Sequence, residues 1–111
     1  MNDSPLMTLG EAASIMKGFL VSGNPDCLFF SVSIDSRKTE KGSLFFALKG
    51  EKTDGHEFTG SAAASGACCC VVEKESSVAK KGGEDGRSLF IVVDDTLKAL
   101  HLLAAGYRNK F

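Results

Sequence analysis

Two short polar segments contain the residues of this chain that are best suited to bind a charged ligand. The first, Ser33 to Lys38 (SIDSRK), closes an apolar run with an acid, a hydroxyl and two cations. The second, Lys49 to His56 (KGEKTDGH), combines two lysines with glycines that let a ligand approach the backbone closely. The guanidinium of Arg37 and the hydroxyl of Ser36 suit a phosphate or the edge of a pyrimidine. We expect the two segments to form a binding site.

A purely structural role is an equally good explanation of the first segment. Asp35 and Arg37 are two residues apart, so their side chains can bond to each other and shape a turn without a ligand. Asp54 has a stronger structural explanation, because an aspartate at the start of a helix caps its free amides. Between Asp35 and Phe58 there are five basic and five acidic residues, a balance that favours a small ligand over a polyanion.

Complete catalytic patterns are absent from the sequence. The GEKTDGHE segment has the glycine spacing of a phosphate-binding loop, but His56 and Glu57 stand where lysine and serine or threonine are required. The two histidines, His56 and His101, are too few and too isolated to predict a metal centre, and we expect a structural role for His101. We therefore predict no catalytic residue, no metal site and no cofactor site within this segment.

The cysteines predict packing instead of chemistry. Cys68, Cys69 and Cys70 are consecutive, so in a strand their side chains alternate between the two faces, and the Cys-x-x-Cys spacing of metal sites is missing. We expect small apolar residues in a buried strand, with a cysteine-based redox or metal protein as the alternative. Cys27 stands alone and indicates nothing further.

Hydrophobic periodicity predicts the elements that position the two polar segments. Thr8 and Glu11 form a capping box at the start of a first helix that ends near Gly18. Its apolar face is predicted to comprise Leu9, Ala12, Ala13, Met16 and either Phe19 or Leu20.

Two strands follow the first helix. In LFFSVSID, Phe30, Val32 and Ile34 alternate with polar residues, the pattern of a half-buried strand. SLFFAL, Ser43 to Leu48, is apolar on both faces and is predicted to lie inside the sheet. The first polar segment thus falls at the carboxyl end of a strand, where ligands dock in open α/β sheets.

The rest of the chain predicts a parallel strand–helix–strand unit and a final helix. Asp54 and Glu57 cap a short helix that Gly66 ends, and ACCCVV then forms a third strand. Residues 74–87 are too polar and glycine-rich to pack and are predicted to be a mobile loop, after which SLFIVVD forms a fourth strand. Asp95 or Thr96 caps the last helix, whose predicted apolar stripe is Leu97, Leu100, Ala104, Tyr107 and Phe111. That helix lacks a capping residue at its end, so we expect the segment to belong to a longer chain.

These elements predict one small α/β domain, a mixed β-sheet of four or five strands with packed helices. Its 111 residues and 43% hydrophobic content suffice for one modest core. A net charge of −1 gives no field that would attract nucleic acid. Without a membrane-spanning apolar stretch or a signal peptide, we expect a cytoplasmic protein that does not insert into membranes, and we expect a monomer.

Most of the chain resembles the N-terminal domain of the Mur ligases, the ATP-dependent enzymes that build the peptidoglycan stem peptide. The resemblance is carried, in order, by SIDSRKTEKGSLFFALKGEKTDGHEF, AAASGACCCVV and FIVVDDTLKALHLLAAGYRNKF. These match the family patterns D-S-R, G-x-L-F-x-A-L-x-G, D-G-H-x-F and V-x-D-T-x-x-A-L. Within the family, the final segment is more similar to the ligases that add D-alanyl-D-alanine (MurF) than to those that add the third amino acid (MurE).

The resemblance implies that residues 1–111 form the domain that holds the uridine end of a UDP-MurNAc-peptide. ATP, Mg²⁺ and D-alanyl-D-alanine would bind to central and C-terminal domains outside this segment, which should be inactive alone. The uridine contacts implied by the motifs are Ile34, Ser36, Arg37, Gly50, Glu51, Lys52 and Thr53. Other motif residues are expected to shape the loop: Asp35, Lys49, Asp54, Gly55 and His56. The alternative of another class is a stand-alone binding or interaction module in which D-S-R is structural.

Overall fold

The computed structural model describes residues 5–21, 24–50, 54–76 and 89–110. Residues 109 and 110 are described by their backbone alone. The first half contains β1 (Met7–Thr8), α1 (Leu9–Met16), β2 (Phe19–Leu20), β3 (Leu28–Phe29), β4 (Ser31–Ser33), a 3₁₀ turn (Ser36–Lys38) and β5 (Ser43–Phe46). The second half contains a 3₁₀ turn (Gly55–Phe58), α2 (Thr59–Ala64), β6 (Cys69–Glu73), β7 (Phe90–Val93) and α3 (Thr96–Lys110).

The main sheet of the described residues has five strands in the order β2-β7-β6-β5-β4. β4, β5, β6 and β7 run parallel, while β2 is antiparallel to β7. The short strands β1 and β3 pair separately as an antiparallel ribbon. The predicted mixed sheet and the parallel unit around α2 are therefore confirmed. Because four neighbouring strands are parallel, their carboxyl ends share one edge of the sheet.

Helices cover both faces of the sheet, and the alternation of side chains along each strand supplies both cores. On β5, Leu44 and Phe46 join the core under α1 and α3, whereas Phe45 joins the core under α2. The cysteines of β6 alternate in the same way, with Cys69 in the first core and Cys70 in the second. Every residue of β5 is buried, which confirms the prediction of an interior strand.

The capping box that starts α1 is present, but the helix ends before Phe19 and Leu20, one of which was predicted to extend its apolar face. Thr8 Oγ1 accepts the Glu11 N–H at 3.1 Å, and Glu11 Oε1 accepts the Thr8 N–H at 3.3 Å. Lys17 then takes a left-handed conformation with φ of 58°, which ends the helix. The prediction that Phe19 or Leu20 shares the helical face is wrong, since both lie in β2 and Phe19 is 70% exposed.

The first predicted strand is divided between two sheets. Phe29 pairs with β1 and is fully buried, whereas Ser31 to Ser33 form β4 at the edge of the main sheet. Phe30, Val32 and Ile34 are 42%, 38% and 58% exposed, so the alternating set is not the buried half of the strand. The alternating residues do share one face of the strand, but the prediction that this face is buried is wrong. β4 is an edge strand, which no other element covers completely.

The last helix starts as predicted but packs with a different face. Asp95 Oδ1 accepts the Lys98 N–H at 3.1 Å, so Asp95 is the capping residue. The buried positions are Thr96, Ala99 and Leu103, while three members of the predicted stripe are exposed: Leu97, Ala104 and Tyr107. The helix packs against α1 with a face that carries small residues, because only these let the two helices approach closely. A Cβ at Gly106, for example, would lie 2.6 Å from Ile15 Cγ2 of α1.

Other predictions along the chain have mixed outcomes. His101 is exposed, which contradicts the structural role expected of it. Phe111 and most of the predicted loop at 74–87 lie outside the described residues. In the part of the chain that is described, no helix is both long and apolar enough to cross a membrane.

The cysteine interpretation is confirmed by burial and by the absence of disulfides. All four cysteines are free, and Cys69 and Cys70 are 1% exposed. Burial raises the pKa of Cys68 to about 11 and that of Cys70 to about 12, and it raises the pKa of Cys69 as well. At neutral pH these thiols remain protonated and are poor nucleophiles.

Labelling with iodoacetamide at pH 8 should therefore spare Cys69 and Cys70 in the folded chain, since the reagent needs an accessible thiolate and pH 8 lies well below the raised pKa values. Peptide mass spectrometry measures the modification at each cysteine. The same chain in urea is the control and should be labelled at all four positions. Modification of Cys70 in the folded chain would contradict the packing described here.

Candidate functional site

An open cleft lies at the edge of the sheet where the parallel strands end. Its volume is about 750 Å³, within the range typical of small-molecule sites. The walls come from three places: the turn after β4, the connection after β5 and the outer side of α2. The lining residues are Ile34, Asp35, Ser36, Arg37, Phe45, Leu48, Gly55, Phe58, Ser61 and Ser65.

The structure brings the two polar segments together at this cleft, as the sequence predicts. Ile34, Ser36 and Arg37 line one side. Leu48, which directly precedes the second segment, and Gly55, the next-to-last residue of that segment, line another side. Lys49 and Gly50 are exposed on the same connection, whereas Glu51, Lys52 and Thr53 lie outside the described residues. Whether any of these residues contacts uridine stays a prediction.

Hydroxyl groups fix the backbone of the turn after β4. The carbonyl oxygen of Asp35 accepts hydrogen bonds from Ser33 Oγ at 2.9 Å and from Thr39 Oγ1 at 3.0 Å. Ser36, in the middle of this turn, is buried with 8% exposure, so the turn packs against the protein interior. A backbone bound on both sides of Ser36 gives the cleft a preformed wall.

The Asp35–Arg37 bond that the sequence left as an alternative is present. Asp35 Oδ1 accepts the Arg37 N–H at 2.9 Å and Nε–H at 3.3 Å, and Asp35 Oδ2 accepts from the second guanidinium nitrogen at 3.3 Å. The side-chain hydrogen bond from Arg37 lowers the pKa of Asp35 and raises the pKa of Arg37. The Arg37 side chain remains 87% exposed, so Asp35 orients a cation that still has N–H groups open to a ligand.

The two sides of the connection after β5 lie close together at Leu48, Lys49, Asp54 and Gly55, and we call these four residues the neck. Lys49 and Asp54 form an isolated antiparallel bridge, and the Gly55 N–H donates to the Leu48 carbonyl at 2.8 Å. Gly55 is required by close packing, because a Cβ there would lie 2.7 Å from the Leu48 nitrogen. The chain therefore leaves the sheet at Lys49 and returns to it at Asp54, at adjacent points.

His56 anchors this neck from inside the protein. The ring is 4% exposed, with Nδ1 lying 2.6 Å from Asp54 Oδ1 and Nε2 lying 3.0 Å from the Glu73 nitrogen. Since the Glu73 N–H can only donate, Nε2 must be the acceptor and Nδ1 carries the proton. Partial burial raises the pKa of Asp54, but hydrogen bonds from the His56 backbone and ring outweigh it and leave that pKa lowered.

Several residues of the site were not predicted from the sequence. Phe58, Ser61 and Ser65 line the cleft because the short 3₁₀ turn and α2 pack beside Arg37's turn. Their only sequence signal is a helical spacing of three to four residues after the D-G-H motif. Glu73 was missed because its partners, His56 and Thr96, are distant in sequence.

Comparison with known proteins decides the family. The model of the Mur ligase family, described as a catalytic domain, matches residues 29–108. The chain belongs to the Mur ligase family. It is 33% identical over 101 residues to the UDP-N-acetylmuramoyl-tripeptide–D-alanyl-D-alanine ligase of Bacillus subtilis, covering 90% of this chain and 21% of that one. It is 34% identical over 99 residues to the UDP-N-acetylmuramoyl-L-alanyl-D-glutamate–2,6-diaminopimelate ligase of Parabacteroides distasonis, covering 89% and 19%.

Solved structures of the Mur ligase family confirm the fold. Crystal structure I of MurF from Acinetobacter baumannii superposes with a TM-score of 0.77 at 29% identity, and the match covers 99% of this chain and 22% of that one. The chain thus spans about a fifth of the length of the ligases it matches. The predicted resemblance to a Mur ligase domain is confirmed.

The polar side chains that line the cleft of this Mur ligase domain are suited to binding. No group of three or more metal-ligating side chains occurs among the described residues. The polar groups of the cleft are hydroxyls, one guanidinium and a carboxylate already bonded to it. They can hold a planar or anionic group in place.

Gly55→Ala should destabilise the neck, because the added methyl group would meet the Leu48 backbone, which cannot move aside. We expect a loss of about 1–3 kcal/mol in the free energy of unfolding, measured by urea denaturation. Gly60→Ala is the matched control, since a Cβ there has no neighbour within 4 Å and alanine favours α2 by up to about 1 kcal/mol. Equal stabilities for the two variants would contradict the close packing at Gly55.

Proposed function

We propose that this chain is the UDP-substrate-binding domain of a MurF-type ligase, holding the uridine end of a UDP-MurNAc-tripeptide. The observation that carries the proposal is the cleft itself, in which the D-S-R turn and the neck of the G-E-K-T-D-G-H connection face one space. Both motifs belong to the pattern by which the chain resembles the family. The parent ligase would act in the cytoplasm during the synthesis of peptidoglycan precursors.

The chemistry of the walls suits a pyrimidine nucleotide. Ile34 and Phe58 are 58% and 38% exposed and present apolar surface to the cleft, against which a flat base can pack. Ser36 and the Arg37 guanidinium offer donors to the oxygens of a uracil ring or of a phosphate. The exposed cations Lys49 and Arg37 favour the diphosphate end electrostatically.

A binding domain of this kind contributes to catalysis from a distance. In the proposed parent enzyme, ATP would phosphorylate the terminal carboxylate of the tripeptide, and the amine of D-alanyl-D-alanine would displace the phosphate. That reaction needs ATP, Mg²⁺ and cations around a developing charge, which other parts of a ligase would supply. The grip on the uridine end adds binding energy that positions the reacting end of the substrate.

A MurE-type ligase, which adds the third amino acid, is the second candidate. Relatives of both kinds match the chain over about nine tenths of its length with nearly equal identity. The solved structures of MurF that cover 99% of the chain, and the final segment of the sequence, favour the MurF-type assignment. The two candidates share the same use of the cleft and differ in the peptide carried by the UDP-sugar.

Arg37→Ala should weaken the binding of UDP-MurNAc-tripeptide about tenfold or more, because a charge-assisted hydrogen bond to the ligand is lost. Isothermal titration calorimetry of the 111-residue chain measures the affinity. The melting temperature should change little, since the Arg37 side chain is 87% exposed and packs against no core.

Lys38→Ala is the matched control for this experiment, because it removes the same charge from an exposed neighbour in the same turn. It should leave the affinity within about twofold of the original. If the unmodified chain fails to bind the UDP-linked peptide, the proposal is wrong and a stand-alone interaction module becomes the better explanation. A fall in stability without a fall in affinity for Arg37→Ala would favour the same module.

A further inference from the structure

The neck of the connection after β5 is fastened to a neighbouring strand through one buried ring. His56 bonds to Asp54 of the neck through Nδ1 and to the backbone of Glu73, at the end of β6, through Nε2. Neither His56 nor Glu73 lines the cleft. The ring therefore joins the neck to β6, a strand that contributes no residue to the cleft lining.

The side chain of Glu73 extends this connection to the last helix. Its Oε2 accepts hydrogen bonds from the Thr96 N–H at 3.2 Å and from Thr96 Oγ1 at 3.3 Å. Its Oε1 lies 4.0 Å from Lys49 Nζ, so the same carboxylate also reaches the first residue of the neck. Contacts thus run continuously through four residues that follow β5, end β6 or follow β7: Lys49, His56, Glu73 and Thr96.

We propose that His56 and Glu73 are positioning residues for nucleotide binding. They hold the neck in one geometry against β6 and α3, so that the affinity for the UDP-linked substrate depends on them although neither touches it. This inference rests on the proposed function of the cleft.

The physical reason is the conformational entropy of the connection. A ligand in the cleft needs Leu48 and Gly55 in fixed positions, and the entropic cost of fixing them falls when the neck is already held in place. The Asp54–His56 bond fixes the returning end, and the Lys49–Glu73 pair restrains the leaving end. A displaced neck would also move Gly55 and Leu48, which line the cleft.

The continuity of the contacts has a second consequence. A shift of the neck on ligand binding would change the geometry at Glu73 and hence at the Thr96 N–H, which bonds to its carboxylate. Thr96 does not line the cleft. A response of its amide to the ligand therefore reports the coupling and not a direct contact.

His56→Asn tests the inference in the 111-residue chain. Asparagine can still donate to Asp54 but leaves nothing to accept the Glu73 N–H. We expect the affinity for UDP-MurNAc-tripeptide, measured by calorimetry, to fall about tenfold. Glu73→Gln keeps the shape of the side chain and its backbone N–H but removes the charge that faces Lys49, and should lower the affinity about two- to threefold.

Two control variants separate positioning from general stability. Ile91→Val removes one methylene group from the core of β7, outside the contacts of His56 and Glu73, and should lower the melting temperature without changing affinity. His101→Gln alters an exposed histidine and should change neither. The two variants are compared at equal loss of stability. If His56→Asn then loses no more affinity than Ile91→Val, the inference is overturned.

Nuclear magnetic resonance supplies the second readout. In the unmodified chain, UDP-MurNAc-tripeptide should shift the amide signals of Arg37 and of Thr96, and in His56→Asn the shift at Thr96 should disappear while that at Arg37 remains. A shift at Arg37 without one at Thr96 in the unmodified chain overturns the inference but leaves the proposed function intact. No shift at either residue overturns both.

Discussion

The parallel pairing of β4, β5, β6 and β7 is the constraint on which the site depends. It places the carboxyl ends of four strands at one edge, where each strand must be followed by a connection. The residues after β4 and β5 line most of the cleft, while Glu73 at the end of β6 and Thr96 after β7 bond to each other at the same edge. An antiparallel arrangement of the same strands would send alternate connections to opposite edges and separate the two motifs.

Much of this arrangement could be predicted from local sequence because the relevant signals are local. A capping box needs only Thr8 and Glu11, and the apolar residues on both faces of Ser43 to Phe46 suffice to predict an interior strand. The position of D-S-R at the end of a strand followed from the same patterns. The fold class and the meeting of the two polar segments were therefore predictable.

The errors arose where burial depends on a distant element. Alternation in Phe30, Val32 and Ile34 indicates that they share a face, but only the sheet order shows that β4 is an edge strand. The face of α3 is set by small residues that admit α1, with Gly106 against Ile15, and not by its largest apolar side chains. The contacts of Glu73 with His56 and Thr96 span 17 and 23 residues, so no local pattern announced them.

The D-S-R turn shows that a structural role and a binding role need not exclude each other. Asp35 accepts three hydrogen bonds from Arg37, which is the local turn that composition alone allowed, yet the guanidinium stays exposed at the cleft. The internal pair reduces the side-chain entropy that a ligand would otherwise have to remove. An exposed cation fixed beside an apolar wall is well suited to recognise one end of a nucleotide.

We propose above all that the cleft binds the uridine end of a UDP-linked muramoyl peptide. A crystal structure of this chain grown with UDP-MurNAc-tripeptide tests it most directly. We expect electron density for the uracil ring between Ile34 and Phe58, with a ring or phosphate oxygen within hydrogen-bonding distance of Ser36 or Arg37. Density for the nucleotide at another surface, with the cleft empty at saturating ligand, would contradict it.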